Sequence, residues 1–310
     1  MIRVSGLTKT YGGFAAVVDS SFAVDSGEVF GLVGPNGAGK TTTLKMLAGL
    51  IEPTSGTARV AGYSAANPEM RRTLGFLPEE SPLYEEMTPR SYLRFFADLY
   101  DVPRDVATER AESALDRLDL QHRDRRLGDM SKGMKRKVAI ARSLVNDPDV
   151  LIYDEPASGL DPLTTNTVLA FTRELRAAGK TVVFSAHNLY HVESVCDRVV
   201  IMNEGRIIAR GTIDDIREDH GETTYRVFST VELEPPETVD LLDPIEPTGD
   251  GRYETTVETM DAVESLQAAA AAAGGRVDDI RTDEPSLETI FLELTGRPMN
   301  TPRTVAESDR

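Results

Sequence analysis

The sequence predicts an α/β fold with a mostly parallel sheet, and two features support this prediction. Short apolar runs alternate with amphipathic helical patterns over about the first two hundred residues, and a glycine-rich turn joins one of these runs to the next helix. Parallel strands need crossover connections, usually helices, and strands covered on both faces are apolar throughout. The 310 residues are enough for two domains.

The first part of the chain begins with strands and one helix. Three strands and a helix are predicted, in chain order, at residues 2–7, 20–24, 29–33 and 41–50. The segment 89–120 is rich in helix with amphipathic spacing, and a further helix is predicted at 133–145. We therefore expect a helical insertion at about residues 80–148 within the α/β alternation.

The alternation resumes after this insertion. Three strands and two helices are predicted, the strands at 150–153, 181–185 and 199–202 and the helices at 164–178 and 189–196. Turn-forming residues follow around residues 211–221. The first domain is therefore predicted to span residues 1–215.

The remaining sequence predicts a small C-terminal α/β accessory domain at residues 216–297. Its strands are predicted at 224–229, 253–258 and 277–281, and its helices at 260–273 and 286–294. Pro285 precedes the last helix and Gly296 follows it, which is the order expected at helix ends. Apolar residues are sparse from 298 to 310, which predicts a disordered tail.

Charge is unevenly distributed along the chain. The sequence has 34 basic and 51 acidic residues, for a net charge of −17, and 24 of the acids but only 8 of the bases lie in residues 212–310. A protein that binds a phosphate backbone needs a basic face, so nucleic acid is disfavoured as a partner of this acidic domain. The acidity, with 27 arginines against 7 lysines, predicts a halophilic protein.

Cysteine content and hydropathy indicate the compartment. The single cysteine, Cys196, cannot form an internal disulfide, so a reducing compartment is expected. The sequence contains no run of eighteen consecutive apolar residues, and we expect that the chain does not cross a membrane by itself.

The glycine-rich turn fits the P-loop (Walker A) pattern. It reads Gly34-Pro35-Asn36-Gly37-Ala38-Gly39-Lys40-Thr41, followed by Thr42, between an apolar strand and a helix. Glycines let the backbone approach phosphates, the helix N-terminus favours anions, and the lysine adds a cation. We predict that residues 34–42 bind nucleotide phosphates and that the Thr41 hydroxyl contacts Mg²⁺. A chance glycine turn is the alternative, which the flanking strand and helix disfavour.

A second apolar strand, at 150–153, ends in the acids Asp154 and Glu155. An aspartate at the carboxyl end of a central parallel strand can position Mg²⁺, and the glutamate after it can orient or deprotonate water. Acids also end strands as plain solvated caps. This Walker B pattern alone is therefore weak evidence for a metal site, and the P-loop upstream is what supports that interpretation.

The segment Met130-Ser131-Lys132-Gly133-Met134-Lys135-Arg136 lies between these two motifs, immediately before a predicted helix. At this point the sequence resembles the ATP-binding subunits of ABC transporters, whose signature motif lies just upstream of the acidic strand. The resemblance extends from residue 2 to about 215, and the motifs follow the family's order. It implies a P-loop NTPase fold with the ABC helical insertion.

The resemblance implies roles around the nucleotide. Tyr11 is similar to the aromatic residue that stacks on adenine, with Phe14 as the alternative, and His187 resembles the switch histidine at the γ-phosphate. Glu79 stands where the family's Q-loop has glutamine, a departure that places a second carboxylate near the metal. The Mg²⁺ ligands predicted in this way are Thr41, Asp154 and Glu79.

Two further segments resemble parts of the family's dimer interface. Ser131, Lys132, Gly133 and Met134 are similar to the signature residues that reach ATP held by an opposing subunit, and Asp161 belongs to a segment that resembles the D-loop. Met130 and Lys132 replace the more usual leucine and glycine. Ser131 also suits a plain helix cap, and the D-loop segment an ordinary turn.

The resemblance as a whole implies an ATPase subunit that binds ATP and Mg²⁺ in a head-to-tail dimer, either of two copies or with a related subunit. Glu155 is expected to polarise the attacking water and His187 to steady the γ-phosphate. The chain would power a separate membrane permease, contacted through residues 79–87 and the helical insertion. It would be cytoplasmic, held at the inner face of the cell membrane by that permease.

The segment 285–296 resembles the ending of ATPases from drug, sodium, lipid and polysaccharide exporters, which implies export. One alternative is a soluble ABC-type ATPase that acts on a macromolecule without a permease, which the single P-loop and the lack of heptads disfavour. A non-catalytic regulatory protein is the other, and it would be expected to lack Lys40, Glu155 or His187.

Overall fold

The computed structural model describes residues 1–221, 223–236 and 238–296. The described chain divides into two compact units, residues 1–213 and 214–296. The tail predicted at 298–310 lies outside the described residues. Within the described part, no helix is both long and apolar enough to span a membrane.

The first unit contains ten strands and six α-helices among its described residues. The strands are β1 (Ile2–Tyr11), β2 (Phe14–Val24), β3 (Val29–Val33), β4 (Ser55–Val60), β5 (Tyr63–Ser64), β6 (Leu74–Leu77), β7 (Val150–Tyr153), β8 (Thr181–Ala186), β9 (Arg198–Asn203) and β10 (Arg206–Gly211). The helices are α1 (Lys40–Leu47), α2 (Pro89–Leu99), α3 (Arg104–Arg117), α4 (Lys132–Arg142), α5 (Pro162–Ala177) and α6 (Leu189–Val195). Short 3₁₀ helices cover Pro68–Thr73 and Leu127–Asp129.

The central sheet has the strand order β10-β9-β3-β8-β7-β6. All its neighbours pair in parallel except β10, which is antiparallel to β9, so the predicted mostly parallel sheet is confirmed. Val33 pairs with Ala186 and Leu77 pairs with Tyr153. The carboxyl ends of β3, β8, β7 and β6 therefore meet at one edge, where α/β proteins build their sites.

The core explains why these strands are apolar runs. Every residue of β3, β7 and β8 is buried, because helices and a second sheet cover both faces. Burial of each large apolar side chain contributes about 1.5–3 kcal/mol. The Tyr153 hydroxyl lies within this core and is paired with the Ser143 hydroxyl at 3.0 Å, as a buried polar group requires.

A second, antiparallel sheet was not expected from the sequence. Its order is β2-β1-β4-β5, and the first two strands are longer than predicted. Strands β4, β5, β6 and β10 were missed, since they are short or lie between glycines. The helix predicted at 41–50 ends at Leu47 because Gly49 adopts a left-handed conformation, with φ of +65°.

The helical stretch consists of α2, α3 and α4. Thr88 and Ser91 form a capping box at the start of α2, and Pro103 immediately precedes α3. Arg90 and Arg123 both contact Glu112, with Arg90 Nε 2.6 Å and Arg123 Nη1 2.5 Å from its carboxylate. These ion pairs join α2 and α3 to the segment that leads to α4.

The second unit forms an antiparallel four-stranded sheet with helices. Its elements are α7 (Ile213–His220, which begins at the boundary), β11 (Thr224–Ser229), β12 (Glu246–Pro247), β13 (Tyr253–Val257), α8 (Met260–Ala272), β14 (Val277–Asp283) and α9 (Leu287–Thr295). The strand order is β12-β13-β11-β14. Val227 and Val257 on the sheet pack against Val263 and Leu266 of α8 to form its core.

Candidate nucleotide and catalytic site

The P-loop connects β3 to α1, as the sequence predicts. A Cβ atom at Gly39 would lie 2.5 Å from the Ala16 carbonyl oxygen, and the residue has φ of +101°, so only glycine fits there. The helix begins immediately afterwards at Lys40, and its first backbone N–H groups have no intrahelical partners. The loop therefore offers backbone donors and a helix N-terminus, which suit an anion.

The Lys40 side chain folds back over the loop. Its Nζ atom donates hydrogen bonds to the carbonyl oxygens of Gly34, at 2.7 Å, and Pro35, at 3.3 Å. Nζ also lies 3.4 Å from Glu155 Oε1, and both side chains are buried. The structure thus brings the predicted P-loop lysine and the predicted catalytic glutamate into an ion pair.

Glu155 presents its two carboxylate oxygens to different surroundings. Oε2 lies 2.8 Å from His187 Nδ1, so the predicted switch histidine is a direct neighbour of the glutamate. Oε1 accepts no hydrogen bond from any described residue, since its contact with Lys40 lacks hydrogen-bond geometry. A buried carboxylate oxygen in this state is an available acceptor for a water molecule or ligand.

The backbone of Glu155 has a left-handed conformation, with φ of +49°. Such a conformation costs free energy in a residue other than glycine and is found at functional sites. Ser185, at the end of β8, stabilises this segment: the Glu155 N–H donates to Ser185 Oγ at 2.9 Å, and Ser185 Oγ donates to Asp154 Oδ1 at 2.6 Å. Sequence reasoning missed Ser185, although its position two residues before His187 was a usable signal.

A cleft of about 390 Å³ lies over the P-loop, within the usual range of small-molecule sites. Its lining residues are Phe14, Ala16, residues 35–42, Glu79 and Glu155. Eight of the nine predicted phosphate-binding residues and two predicted carboxylates therefore share one cleft with Phe14. Tyr11, the predicted adenine contact, does not line it.

Tyr11 and Phe14 occupy opposite positions across the turn between β1 and β2. Both rings are about half exposed, and Lys9 Nζ lies 5.1 Å from the centre of the Tyr11 ring. The position of Phe14 in the cleft favours the alternative residue as the aromatic contact. Which of the two rings lines the cleft depends on how this hairpin packs beside the P-loop, and the local sequence does not specify that packing.

The signature residues lie away from this cleft. Ser131 caps α4 by accepting a hydrogen bond from the Met134 N–H at 3.3 Å, and Lys132 extends so that its ammonium lies against Gly159. Gly133 packs so closely on α5 that a Cβ atom would meet Thr164 Oγ1 at 3.0 Å. The first turn of α4 therefore rests on the segment predicted to be the D-loop.

Asp161 caps α5. Its carboxylate accepts hydrogen bonds from the Thr164 N–H at 2.9 Å and the Thr164 hydroxyl at 2.7 Å, and these contacts hold the pKa of Asp161 below its ordinary value. Like the signature residues, Asp161 does not line the P-loop cleft. Neither group completes the site from within the same chain.

The predicted Mg²⁺ ligands are oxygen donors of the kind that this ion prefers. Thr41 and Glu79 line the cleft, and Asp154 is buried beside it with one oxygen bound to Ser185. Among the described residues, no three His, Cys, Asp or Glu side chains form a cluster that could hold a metal by themselves. Mg²⁺ usually takes one or two carboxylates together with phosphate oxygens and water, so this set fits an ion that arrives with the nucleotide.

Arg136 is a second residue that sequence reasoning missed. Its guanidinium is buried behind the site and contacts the loops that carry Glu79 and Glu155. Burial lowers the pKa of Arg136 to about 10, which leaves it cationic at neutral pH. The available signal was a charged residue directly before the apolar run that forms the buried part of α4.

Comparison with known proteins identifies the family. The ABC transporter family model matches residues 17–158, and a model described as "ATP-binding protein DrrA1-3-like, C-terminal domain" matches residues 211–295. The linearmycin resistance ATP-binding protein LnrL of Bacillus subtilis (strain 168) is 33% identical over 309 residues, covering 96% of this chain and 99% of LnrL. The Nod factor export ATP-binding protein I of Rhizobium sp. (strain N33) is 35% identical over 306 residues, covering 96% and 98%.

A solved structure described as the ATP-binding subunit of an ABC transporter has a TM-score of 0.66 and 37% sequence identity, covering 71% of this chain and 93% of its own. These matches confirm the predicted family, fold and ATPase class. The chain belongs to the ABC transporter family, as an ATP-binding subunit that carries the ATPase domain of that family.

Proposed function

We propose that this chain hydrolyses magnesium-bound ATP to drive a separate membrane permease, and that the transport is export. The observation that carries the proposal is the placement of Glu155 between Lys40 and His187 beside the P-loop cleft. A carboxylate can orient a water molecule and a cation can stabilise charge on the outer phosphates, and these are parts that phosphoryl transfer to water uses. The His187 imidazole lies directly beside that carboxylate.

The phosphate end of ATP is assigned to residues 34–42, with Lys40 against the outer phosphates. For Lys40 to reach them, its ammonium would leave the Gly34 and Pro35 carbonyls, which now accept its hydrogen bonds. Thr41, Asp154 and Glu79 would hold Mg²⁺, which when bound neutralises charge on the phosphate oxygens. Catalysis would then consist mainly of positioning and charge stabilisation.

Glu155 is proposed to orient and polarise the attacking water molecule. The unbonded oxygen Oε1 supports this role, because it is a buried acceptor on a residue that lines the cleft. His187 keeps the other oxygen engaged at 2.8 Å and so fixes the direction of the carboxylate. In this arrangement His187 can reach toward the γ-phosphate as well as orient the glutamate.

The complete site is proposed to need two chains in a head-to-tail dimer, as two copies or as a pair of related subunits. Ser131, Lys132, Gly133 and Met134 lie outside the cleft of their own chain, at the N-terminus of α4, where the first backbone N–H groups have no intrahelical partners. They would close over ATP held by the other chain, and Asp161 would link the two sites. Lys132 would add a cation in place of the usual glycine.

The proposal that transport is export is based on relatives that match nearly the whole chain. Their names are those of a linearmycin resistance protein and of Nod factor export proteins. The match of residues 211–295 to the DrrA-like C-terminal domain supports the same assignment. The cargo would be selected by the permease.

The surface proposed for the permease lies on α2 and on the segment that precedes it, residues 79–87. Tyr84, Phe95 and Leu99 are exposed there, and the rings of Tyr84 and Phe95 pack edge to face with centres 5.7 Å apart. An exposed aromatic group is typical of a protein contact. Through this contact the chain would be held at the inner face of the cell membrane.

The test is purification of the tagged chain from native membranes after gentle solubilisation. We expect a membrane protein with several spans to co-purify and the complex to hydrolyse ATP only when Mg²⁺ is added. Tyr84→Ser combined with Leu99→Ser should release the membrane protein while leaving the chain able to bind ATP. Recovery of a ribosomal or other macromolecular partner instead, with no membrane protein, would support the soluble alternative.

A further inference from the structure

All five N–H groups of one buried arginine are used to bind the backbone of the catalytic loops. Arg136 lies in the second turn of α4 and its side chain is almost fully buried. It donates to five carbonyl oxygens: Pro156 from Nε at 2.9 Å, Pro78 and Glu79 from Nη1 at 2.8 and 2.9 Å, and Asp154 and Glu155 from Nη2 at 2.9 and 2.8 Å. A guanidinium has five N–H groups in one rigid plane, so this one is saturated.

The five carbonyls belong to two loops that follow neighbouring strands. Residues 78–79 come directly after β6, and residues 154–156 come directly after β7, its parallel partner. One loop carries Glu79 and the other carries Glu155. Arg136 therefore fixes the distance between the backbones of two carboxylates that line the same cleft.

Arg136 is expected to affect the backbone conformation of Glu155 in particular. Glu155 is held in a left-handed backbone conformation that is unfavourable for a residue with a side chain. Three hydrogen bonds hold its backbone there: Arg136 Nη2 and the Ser158 N–H both donate to its carbonyl oxygen, and its own N–H donates to Ser185 Oγ. Loss of the arginine would let the loop relax and move the carboxylate away from His187.

The same helix begins at the signature residues. Ser131 caps α4, and Arg136 follows about 1.4 turns later, so the two are joined by continuous helical backbone. A shift of the signature segment would therefore be carried by α4 to the carbonyls of Glu155 and Glu79.

We propose that Arg136 is a positioning residue, which sets the backbone of Glu155 and Glu79 and ties hydrolysis in this chain to the position of its own signature segment. This inference rests on the proposed function. It adds a path from the signature helix to the catalytic carboxylate that passes through the guanidinium and not through the D-loop.

The first test compares three variants in ATPase assays. Arg136→Lys keeps the cation but offers at most three donors from a compact head, and Arg136→Met removes both. Lys137→Met is the matched control, since Lys137 is a buried cation at the next position of α4 whose ammonium contacts only the Asp119 carbonyl among the described residues, at 3.3 Å. Because a misplaced catalytic group costs up to about 100-fold, we expect kcat to fall at least about tenfold in both Arg136 variants.

The phosphate contacts of residues 34–42 do not involve Arg136, so we expect the KM for ATP to stay within about threefold. Partial unfolding would also lower the apparent kcat at constant KM, so the folded fraction of each variant is measured by circular dichroism and kcat is expressed per folded chain. Lys137→Met should keep the wild-type kcat. If Arg136→Met does not fold, the kcat of Arg136→Lys alone tests the inference. A folded Arg136→Lys with wild-type kcat would overturn the inference.

The second test is a double-mutant cycle with Glu155→Gln. If Arg136 acts through Glu155, its replacement should cost little further hydrolysis once the carboxylate is gone, because residues that act as a unit are not additive. Full additivity would show that Arg136 acts elsewhere and would refute the proposed path. A wild-type chain without ATPase activity would instead refute the proposed function, before any Arg136 variant is compared.

Discussion

Glu155 and Lys40 form a buried ion pair, with 3.4 Å between Oε1 and Nζ and side chains that are 8% and 6% exposed. Buried charges are costly unless they are paired, and each of these two side chains lies beside an opposite charge. The pair also joins the phosphate-binding loop to the acidic strand end. We expect ATP to compete with Glu155 for the lysine, which would release the carboxylate for water.

Glu155→Gln should separate binding from turnover. The amide keeps the size of the side chain but cannot accept a proton, so ATP affinity should remain and hydrolysis should fall by about 1,000-fold. A closed dimer should accumulate when MgATP is added. Phosphate release and size-exclusion chromatography measure the two effects, and near-normal hydrolysis would remove Glu155 from its proposed role.

Lys40→Met should abolish most nucleotide binding. Charge-assisted contacts to phosphate are lost, and we expect the Kd for ATP to rise by about 10- to 100-fold. Titration with a fluorescent ATP analogue measures this change. Lys45→Met on the same helix is the control, because Lys45 is exposed and should not alter the Kd. Equal affinities for the two variants would contradict the assignment.

Ser185→Ala should affect stability and turnover together. The change leaves Asp154 Oδ1 and the Glu155 N–H without their buried partner, which should lower the free energy of unfolding by about 1–3 kcal/mol. The kcat for ATP should also fall, because the acidic loop loses a support. Urea unfolding and ATPase assays test this, with the exposed Ser194→Ala as control. A variant of full stability would show that Ser185 is dispensable.

The Glu112 ion pairs predict a pH dependence of stability. Hydrogen bonds from Arg90, and then from Arg123, hold the pKa of Glu112 below its ordinary value of 4.5 in the folded state. The unfolded chain therefore binds a proton first, and the stabilising contribution is present above about pH 4.5 and lost as the pH falls through the lowered value.

Unfolding free energies from pH 7 to pH 3 test this dependence. Glu112→Gln should be less stable than the wild type at pH 7, and the difference should shrink as the pH falls. Glu109→Gln, at an exposed position of the same helix, should follow the wild type throughout. A difference that stays constant down to pH 3 would rule out the ionised Glu112 as its source.

The acidic composition leads us to propose that the protein is halophilic. With a net charge of −17, repulsion between carboxylates should be relieved by salt, so ATPase activity should persist in molar KCl. Activity measured from dilute buffer to KCl concentrations of about 1 M and above, where the screening length falls to about 3 Å, checks this proposal. A maximum in dilute buffer with loss at high salt would contradict it.

The sequence alone determined the local structure of the site. The glycines and Lys40 of the P-loop lie between a strand and a helix, and Asp154 and Glu155 follow an apolar strand, as predicted. These features depend on neighbours in the chain: glycine permits a left-handed turn, and apolar runs form buried strands. Most predicted helices and strands of both units were correct to within a few residues for the same reason.

Only the tertiary structure decided which of these residues meet. The ion pair of Lys40 with Glu155, the bridge through Ser185 and the five hydrogen bonds of Arg136 all follow from the order β3-β8-β7-β6, which places strands distant in sequence side by side. It likewise put Phe14, and not Tyr11, in the cleft. Local patterns carry no record of strand order, because that order is set by how the whole core packs.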